Sequence, residues 1–196
     1  NKNALLEYWQ VLYYGIGITA NPRKSVKYAQ IAADNGNIEA MHIYGWLLYK
    51  GEYLPKDKKR AAHYFKIAAD NGYVDSMVSY SSMLRTGDGI ECNRIEAVRY
   101  TKLAADKGDV ESMYKYGIAC FYGFTTHINK RDAARYIKRA ADMGDTEAIS
   151  FYSTHFHNGN SAPSEKQKLY RYVENAATKG YQYAIDYYNN SSCNIF

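Results

Sequence analysis

The stretch IAADNGNIEA, residues 31–40, decides the fold of this chain because it returns at a fixed interval. A near copy, IAADNGYVDS, begins 36 residues later at position 67. The same step leads to three further copies: LAADKGDVES (103–112), RAADMGDTEA (139–148) and NAATKGYQYA (175–184). Self-similarity at a period of about 20 to 50 residues is typical of repeat arrays, so the sequence predicts one structural unit stacked several times.

Composition sets broad limits on what the chain can be. Its 196 residues are 46% hydrophobic, which is enough for a buried core, and the net charge of +5 is spread over interspersed acids and bases. Its three cysteines, Cys92, Cys120 and Cys193, form no C-x-x-C pair and no even set, so neither a disulfide framework nor a zinc ribbon is predicted. No apolar run reaches the roughly 18 residues that span a bilayer.

The chain begins with Asn, and the repeat is already running at Ala4. We therefore expect a fragment of a longer protein, in which any targeting segment would lie outside this sequence. The cysteine usage slightly favours the cytoplasm, while the lumen of the endoplasmic reticulum and secretion stay open.

Each repeat begins with a helical pattern. In the second copy it runs from about Ile38 to Lys50, with apolar or small residues at three-and-four spacing, and it ends at Gly51. Glycine recurs at this place in the other copies, as expected where a helix ends in a left-handed residue: Gly15, Gly87, Gly123 and Gly159.

A second helix is predicted after a short loop. Its capping residues can accept hydrogen bonds from the first free amides: Asn21, Asp57, Asn93 and Asn129. Pro22 stands at a first helical position, where its missing donor costs nothing. The pattern closes at a further glycine column, Gly36, Gly72, Gly108, Gly144 and Gly180. The unit is therefore a helix hairpin, and five hairpins are expected to stack.

Two tyrosine columns run through the repeats and hold 11 of the 22 tyrosines. The first helices carry Tyr8, Tyr44, Tyr80, Tyr116, Tyr152 and Tyr188, and the second helices carry Tyr28, Tyr64, Tyr100, Tyr136 and Tyr172. A ladder of ligand-binding rings is one interpretation. Structural packing is favoured, because both columns lie on the apolar stripe.

The segment EAMHIYGWLLYKGEYLPKDKKRAAHYFKIAADNG, residues 39–72, resembles the Sel1-like repeat, a relative of the tetratricopeptide repeat. The residues that carry the resemblance recur in register along the chain: Ala40, Gly45, Gly51, Asp57, Ala61, Tyr64, Phe65, Ala68, Ala69 and Gly72. The resemblance implies an all-α fold, a right-handed α-solenoid of helix-turn-helix repeats with a 36-residue period. The expected repeats are 1–36, 37–72, 73–108, 109–144 and 145–180, followed by a terminal helix at 181–196, all in a single domain 1–196.

Some positions depart from the family pattern. Trp9 and Asn189 replace the small residue of Gly45, so close helix contact is not expected at either end of the array. Tyr53, Thr125 and Ser161 stand where a second loop glycine is usual, so these loops are expected to turn differently.

In proteins with this resemblance the first helices line a concave groove. The side chains expected to point into it are His42, Trp46, Tyr49, Lys50, Val78, Ser82, Arg85, Thr86, Tyr114, Ile118, Phe121 and Tyr122, with Leu6, Gln10, Tyr13 and Tyr14 in the first copy. Exposed rings with a few charges suit peptide or protein recognition. The predicted anchors are Trp46, Tyr49, Arg85, Tyr114, Phe121 and Tyr122, and burial of Trp46 and Phe121 between helices is the open alternative.

The outer helices carry a basic column, Lys27, His63, Arg99, Arg135 and Arg171, with Lys66, Lys102 and Lys138 one turn on. Asp70, Asp106 and Asp142 follow these lysines at four-residue spacing, so a solvated face with exposed ion pairs is favoured. Contact with nucleic acid or an anionic membrane is the alternative, and the absence of interleaved aromatic residues disfavours it.

Catalysis is not predicted. His155 and His157 point to different sides of a helix, so no metal site is expected. Cysteine-rich bacterial relatives linked to β-lactam binding or hydrolysis carry a cysteine pair in each repeat, which this chain does not. The resemblance therefore implies a non-enzymatic adaptor with no cofactor, which binds another protein or peptide, as relatives do in protein degradation, cell-wall regulation and host interaction. Self-association through the array ends is a further expectation.

Overall fold

The structure is a computed structural model, and it describes residues 2–124 and 127–156. All regular structure in these residues is helical: α1 (Lys2–Tyr14), α2 (Pro22–Asp34), α3 (Ile38–Lys50), α4 (Lys58–Asp70), α5 (Val74–Thr86), α6 (Arg94–Asp106), α7 (Val110–Tyr122), α8 (Lys130–Asp142) and α9 (Thr146–His155). The helices pair in chain order as antiparallel hairpins, so the predicted all-α helix-turn-helix solenoid is confirmed. None of the described helices is both long and apolar enough to cross a membrane.

The predicted caps fix where the second helices begin. The side chains of Asn21, Asp57, Asn93 and Asn129 each accept a hydrogen bond from the backbone N–H three residues on, at 2.9 to 3.0 Å. A cap of this kind contributes about 1 kcal/mol to helix stability. Pro22 occupies the first turn of α2, as predicted.

The first helices end at glycine for a conformational reason. Gly51 has φ 76°, and its N–H donates to the carbonyl of Leu47 at 2.9 Å. A side chain there would be strained by the backbone, and its Cβ would lie 2.8 Å from the Cβ of Lys56. Gly15, Gly87 and Gly123 have the same left-handed conformation, so the predicted stop column is confirmed at these positions. Gly159 lies outside the described residues.

The loop at Tyr53 corrects a prediction. Tyr53 has φ 64°, close to the values of 72° at Gly17 and 81° at Gly89, its equivalents in the neighbouring repeats. The loop therefore turns in the same way with tyrosine as with glycine, and the expectation of a different turn was wrong. A tyrosine in this conformation costs roughly 1 kcal/mol or more. Thr125 and Ser161 lie outside the described residues.

Each hairpin is held together by a pair of positions whose sizes compensate. A Cβ on Gly45 would lie 2.8 Å from the Phe65 ring, and one on Gly117 would lie 2.4 Å from Cγ1 of Ile137. The same two columns hold Ser81 and Thr101 in the third repeat, where their hydroxyls are 2.7 Å apart. In each of these hairpins the space left by a small residue is filled by its partner.

The first repeat uses the same two columns in reverse. Trp9 stands in the small-residue column and Ala29 in the large-residue column, and both are buried in one core cluster, at 7% and 0% exposure. Trp9 thus occupies space that a ring such as Phe65 fills elsewhere. Close packing at Trp9 was not predicted from the loss of a small residue there, because it depends on the compensating Ala29 on the other helix. Asn189 lies outside the described residues.

The tyrosine columns are structural. Within four successive hairpins the two tyrosines pack edge to face, with centroids 4.6 to 5.1 Å apart: Tyr8 with Tyr28, Tyr44 with Tyr64, Tyr80 with Tyr100, and Tyr116 with Tyr136. Each such pair contributes about 0.5–1.5 kcal/mol of stability beyond the contribution of the area that it buries. Structural packing was therefore the correct interpretation for these eight residues, while Tyr172 and Tyr188 lie outside the described residues.

The hydroxyls of the second column link consecutive repeats. Tyr64 donates to Asp34 at 2.7 Å, Tyr100 donates to Asp70 at 2.5 Å, and Tyr136 donates to Asp106. In each case the carboxylate stands 30 residues earlier, at the end of the preceding second helix. The column therefore fixes the register between hairpins as well as packing within them.

The chain divides into two compact units, Asn1–Ala104 (unit 1) and Ala105–Phe196 (unit 2). In unit 1 the core contains the buried alanines of α2, α4 and α6 and the larger side chains that fill the space around them, among them Tyr44, Leu48, Phe65 and Tyr100. In unit 2 the described core lies among α7, α8 and α9 and includes Met113, Tyr136, Ile137 and Ile149. The last described residue is Phe156. The predicted elements after α9, including the terminal helix at 181–196, lie outside the described residues.

Candidate protein-binding surfaces

The surface of α1, α3 and α5, called here the unit-1 surface, contains the first group of predicted binding residues. On α3, the Trp46 ring is 40% exposed, and the centroids of Trp46 and Tyr49 lie 5.8 Å apart. The ammonium of Lys50 lies 4.9 Å from the centroid of Trp46. The structure thus brings Trp46, Tyr49 and Lys50 together, and one part of the exposed indole is already covered by a cation of its own helix.

The Tyr49 hydroxyl is committed to a contact within unit 1. It donates to Oδ2 of Asp88 at 2.7 Å, and Lys58 forms an ion pair with the same carboxylate. The hydrogen bond to Asp88 raises the pKa of Tyr49, and the hydrogen bonds from Lys58 and Tyr49 lower the pKa of Asp88. Tyr49 therefore offers a guest its ring, while the hydrogen of its hydroxyl is already donated to Asp88.

An equivalent link stands one repeat earlier, where the Tyr13 hydroxyl lies 3.5 Å from Oε2 of Glu52. Both links join positions 39 residues apart, so each ties a first helix to the loop after the next first helix. Neither Glu52 nor Asp88 was predicted as a partner of these tyrosines. The sequence does contain a pattern that indicates these links: two acidic loop residues lie 36 residues apart, and a tyrosine stands 39 residues before each of them.

His42 lies between α3 and α5. Its Nδ1 is 2.9 Å from Oγ of the buried Ser76, and its ring centroid is 5.1 Å from that of Tyr73. Burial lowers the pKa of His42 despite the opposing charge of Asp75, so the imidazole is neutral near pH 7. His42 is half-buried, and it gives a guest part of a ring rather than a charge.

The four predicted residues of α5 differ in exposure. Val78 is half-buried and packs against the core, while Ser82, Arg85 and Thr86 are exposed. The Arg85 guanidinium makes no ion pair with any residue that the structure describes. Together with Lys50, it gives the unit-1 surface a positive character.

The first repeat contains one wrong prediction. Leu6 was expected to line the groove, but it is 7% exposed and belongs to the core. Gln10 and Tyr14 are exposed and Tyr13 is half-buried. Leu6 packs inward, in the core cluster that also contains Trp9 and Tyr44.

The surface of α7 and α9, called here the unit-2 surface, holds the second group. Tyr114 and Ile118 are half-buried, and Tyr122 is 51% exposed. Phe121 is half-buried in a cluster of rings, with centroid distances of 5.1 Å to Phe151 and 5.3 Å to His155. Phe121 is therefore neither fully buried nor fully exposed: its ring packs against other rings, and part of it stays accessible to a guest.

A pocket of about 420 Å³ opens on the unit-2 surface. Its lining consists of Tyr114 of α7 and Thr146, Glu147, Ser150, Phe151, Thr154 and His155 of α9. Of these residues, Tyr114 was predicted to line the groove, and His155 was considered only as a metal ligand. Phe151 belongs to a column that reads Glu7, Ile43, Ser79, Lys115 and Phe151, and such variation is typical of a surface column.

The basic side chains of the outer helices are largely paired. Arg99 contacts Glu96 at 2.7 Å and Arg135 contacts Asp132 at 3.0 Å, both within one helix turn. Lys66 and Lys138 pair with Asp70 and Asp142 at 2.6 and 2.8 Å, as the spacing predicted. The paired arrangement fits a solvated face and gives no support to the nucleic-acid alternative. Arg171 lies outside the described residues.

A groove of about 480 Å³ also opens on the outer side of unit 1. Lys59, His63 and Lys66 line it together with Glu91, above a floor formed by Ala62, Tyr80, Leu84 and Ile90. Charges of both signs stand at its rim. The groove therefore lacks the uniform positive charge that binding of a polyanion needs.

The described residues contain no group of three or more His, Cys, Asp or Glu side chains placed to hold a metal ion. His155 packs flat on Phe151, with the centroids 4.0 Å apart. Within the described chain Cys92 is exposed and Cys120 is buried, and both are free thiols. His157 and Cys193 lie outside the described residues.

A family model, the Sel1 repeat, matches four successive segments of the chain: residues 10–37, 38–73, 74–109 and 110–145. These segments follow the 36-residue step found in the sequence, shifted by one residue from the predicted boundaries. No curated protein matches the chain.

Solved structures show the same fold at low identity. A Sel1 repeat protein from Oxalobacter formigenes is 21% identical with a TM-score of 0.79, and the match covers 91% of this chain and 73% of that protein. A protective antigen of uropathogenic Escherichia coli strains with an SLR fold is 13% identical with a TM-score of 0.80, and the match covers the whole of this chain and 42% of that protein. The chain thus spans less than half the length of the second protein.

Proposed function

The chain belongs to the Sel1 repeat family, whose members are generally protein-interaction scaffolds, and we propose that it is a non-catalytic adaptor that holds a segment of another protein against its first helices. The observation that carries this proposal is the exposure of large rings on surfaces that the repeats do not use for packing. Trp46 is 40% exposed on the unit-1 surface and Tyr122 is 51% exposed on the unit-2 surface.

The contrast with the rest of the chain supports a binding role for these rings. Several of the large rings that hold the hairpins together are almost fully buried, with Tyr44 and Phe65 at 2% exposure and Tyr100 at 0%, whereas Tyr8 of the first hairpin is 39% exposed. Tryptophan and tyrosine supply much of the binding energy in protein interfaces when a partner covers them. Exposed rings beside a fully packed core are therefore better explained by a partner than by folding.

The polar neighbours of these rings support recognition of a polypeptide. Arg85 and Ser82 are exposed on α5, and Lys50 is exposed beside Trp46 on α3. These side chains can donate to carbonyl or carboxylate groups of a guest while Trp46 packs on its apolar atoms. The unit-1 surface is thus suited to a segment that carries acidic and apolar residues.

The proposal is tested by affinity purification with the intact protein as bait. Trp46→Ala and Tyr122→Ala each remove an exposed ring, so we expect at least about a tenfold loss of the co-purifying partner with an unchanged helical circular dichroism signal. Ile95→Ala is the matched control, because Ile95 is an equally apolar side chain, 71% exposed on α6, outside both surfaces.

Phe121→Ala separates binding from folding. Because Phe121 supports Phe151, His155 and Phe156, we expect this variant to lose stability as well as partner. Recovery of the partner at wild-type levels by both Trp46→Ala and Tyr122→Ala would contradict the proposal, whatever Ile95→Ala does.

A further inference from the structure

We propose that the pocket between α7 and α9 binds a basic side chain, lysine or arginine, of the guest segment. This inference rests on the proposed function and gives the chemistry of one contact within it. The pocket has a volume of about 420 Å³, which is ample for the end of a guanidinium or ammonium side chain with its water. Three properties of its lining favour a cation: aromatic surfaces, an uncommitted carboxylate, and the absence of a described Lys or Arg.

Aromatic rings form the apolar part of the lining. Tyr114 and Phe151 lie with their centroids 6.2 Å apart at an interplanar angle of 71°, and His155 stacks on Phe151 at 4.0 Å. Ring surfaces attract cations through their quadrupole, and this attraction survives partial exposure to water. Phe121 packs edge to face on Phe151 from outside the lining, at 90°, which holds Phe151 in place.

Glu147 supplies the negative charge. It lines the pocket in the first turn of α9, and its carboxylate makes no ion pair with any residue that the structure describes. Burial, followed by the charges of Glu147 and Asp145, raises the pKa of the Tyr114 phenol. The same negative potential that opposes ionisation of Tyr114 attracts a cation to the pocket.

The neighbouring acids are engaged elsewhere. Asp145 caps α9, where its side chain accepts from the N–H of Ala148 at 2.7 Å, and Glu111 of α7 pairs with Lys115 at 2.6 Å. Of these three acids, only Glu147 has an open pocket beside it and a carboxylate that makes no ion pair within the described part of the chain. It is thus the one positioned to meet a guest.

An acid at the position of Glu147 also stabilises the start of its helix, so the acid alone does not indicate a binding site. The pocket beside it is what distinguishes Glu147 from the equivalent acids. Glu39, Asp75 and Glu111 stand at the same place in the first turns of α3, α5 and α7, where acids stabilise the helix dipole. In α9 the recurring acid is joined by the rings of Tyr114 and Phe151. The repeat supplies the charge, and the variable column that holds Phe151 supplies the ring.

The hydroxyls of Thr146, Ser150 and Thr154 complete the lining. Thr154 donates to the carbonyl of Ser150 at 2.8 Å, and its oxygen can still accept from a guanidinium N–H. An entirely apolar guest side chain would leave these groups and Glu147 without their water. A long side chain with an apolar stem and a charged end satisfies both parts of the pocket.

The test uses 1-butylguanidinium as the probe and 1-butylurea as its uncharged match, titrated into the full chain while backbone amide shifts are followed by nuclear magnetic resonance. We expect 1-butylguanidinium to shift the amides of Tyr114, Ser150 and Thr154, and 1-butylurea to need at least about a threefold higher concentration for the same shifts. Equal titration by the two compounds, or shifts confined to other residues, would overturn the inference.

Three variants assign the effect to the pocket. Glu147→Gln and Phe151→Leu are each expected to weaken 1-butylguanidinium binding about two- to fivefold, because one removes the charge and the other removes the ring while keeping an apolar side chain. Glu111→Gln is the matched control, since it makes the same change of charge on the same unit at a residue that does not line the pocket. Binding to Glu147→Gln that matches wild type would contradict the inference, whatever Phe151→Leu does.

This experiment and the test of the proposed function fail separately. If Trp46→Ala and Tyr122→Ala lose the partner while 1-butylguanidinium leaves the pocket unshifted, the adaptor function stands and the cation site falls. If both variants keep the partner, the adaptor function falls, and specific binding of 1-butylguanidinium still identifies a cation site on α7 and α9.

Discussion

Units 1 and 2 have the same kind of core but display different surfaces. In both, a glycine of the first helix receives a larger side chain of the second, Phe65 at Gly45 and Ile137 at Gly117. Their surfaces differ because unit 1 presents Lys50 and Arg85 beside Trp46, whereas unit 2 presents a group of rings with Glu147 at its edge. A repeat can therefore keep its packing columns while its variable columns give each unit a surface of different chemistry.

The two surfaces also differ in how far their side chains are engaged with each other. In unit 1 the ammonium of Lys50 lies over the exposed indole of Trp46, and the hydroxyl of Tyr49 donates to Asp88. In unit 2, Phe121 stands two repeats after Tyr49 and Phe124 stands one repeat after Asp88, and neither phenylalanine has a polar group that could form such a hydrogen bond. Internal contacts thus decide which part of each side chain a guest can reach.

The largest expected effect tests the claim that the two cores are alike. Phe65→Ala should lower the free energy of unfolding by about 3–5 kcal/mol and Ile137→Ala by about 2–5 kcal/mol, because each leaves a cavity beside a glycine that cannot fill it. Urea unfolding followed by circular dichroism measures both. A loss below about 1 kcal/mol in either variant would show that its hairpin does not depend on the compensating pair.

The next effect concerns the hydroxyl links between repeats. Tyr100→Phe in unit 1 and Tyr136→Phe in unit 2 each remove a donor to a carboxylate, so each should lower the free energy of unfolding by about 1–2 kcal/mol. Equal losses in the two units would support a shared register device. A loss of stability in one variant alone would show that the two units do not share this device.

The link from Tyr100 also predicts a pH dependence. Burial alone would raise the pKa of Asp70, but hydrogen bonds from Lys66 and Tyr100 hold it below its usual value. A lowered pKa means that the stabilisation is present above the unfolded-state pKa of about 4 and is lost as the pH falls through the folded value. Wild type should therefore lose more stability than Tyr100→Phe on acidification below about pH 4, as unfolding at a series of pH values would show.

A smaller effect is expected at the link that unit 2 lacks. Tyr49→Phe removes the donor to Asp88 but leaves Lys58 beside it, so we expect a loss of about 0.5–1 kcal/mol in the free energy of unfolding. The pKa of Asp88, followed by carbon nuclear magnetic resonance, should rise toward its usual value in this variant. An unchanged titration would mean that Lys58 alone lowers it.

The smallest effect is spectroscopic and leaves the fold unchanged. The chain has two tryptophans, of which Trp46 is 40% exposed and Trp9 is 7% exposed. A Trp9→Phe variant should therefore keep an emission that acrylamide quenches readily, while a Trp46→Phe variant should be quenched weakly. The reverse order would place Trp46 in the core and remove the main anchor of the unit-1 surface.

Much of the fold follows from the sequence because its determinants repeat. The helix Ile38–Lys50 has the predicted bounds, and the capping and glycine columns act as expected, since a cap and a left-handed stop depend on residues close by in the chain. Tyr53 shows the limit of that reasoning: the loop keeps its turn at φ 64° although the glycine is gone, because the surrounding repeat imposes the conformation.

The surfaces were harder to predict, for a physical reason. The link from Tyr49 to Asp88 and the cover of Lys50 on Trp46 depend on rotamers and on neighbours up to 39 residues away. Leu6 was placed wrongly because a column position does not fix burial in the first repeat, and Glu147 and Phe151 were missed because the lining was not extended to α9. Periodicity specifies which face a residue occupies, whereas its partners on that face follow from side-chain packing.

The central claim is that a partner lies against the first helices, and site-specific photo-cross-linking tests it most directly. A photoreactive amino acid at Ser82, exposed on the unit-1 surface, is compared with one at Lys59, exposed on the outer helix α4. The account predicts a cross-link to the co-purifying partner from position 82, lost on adding Trp46→Ala, and none from position 59. A cross-link from position 59 alone, or one from position 82 that persists in Trp46→Ala, would contradict it.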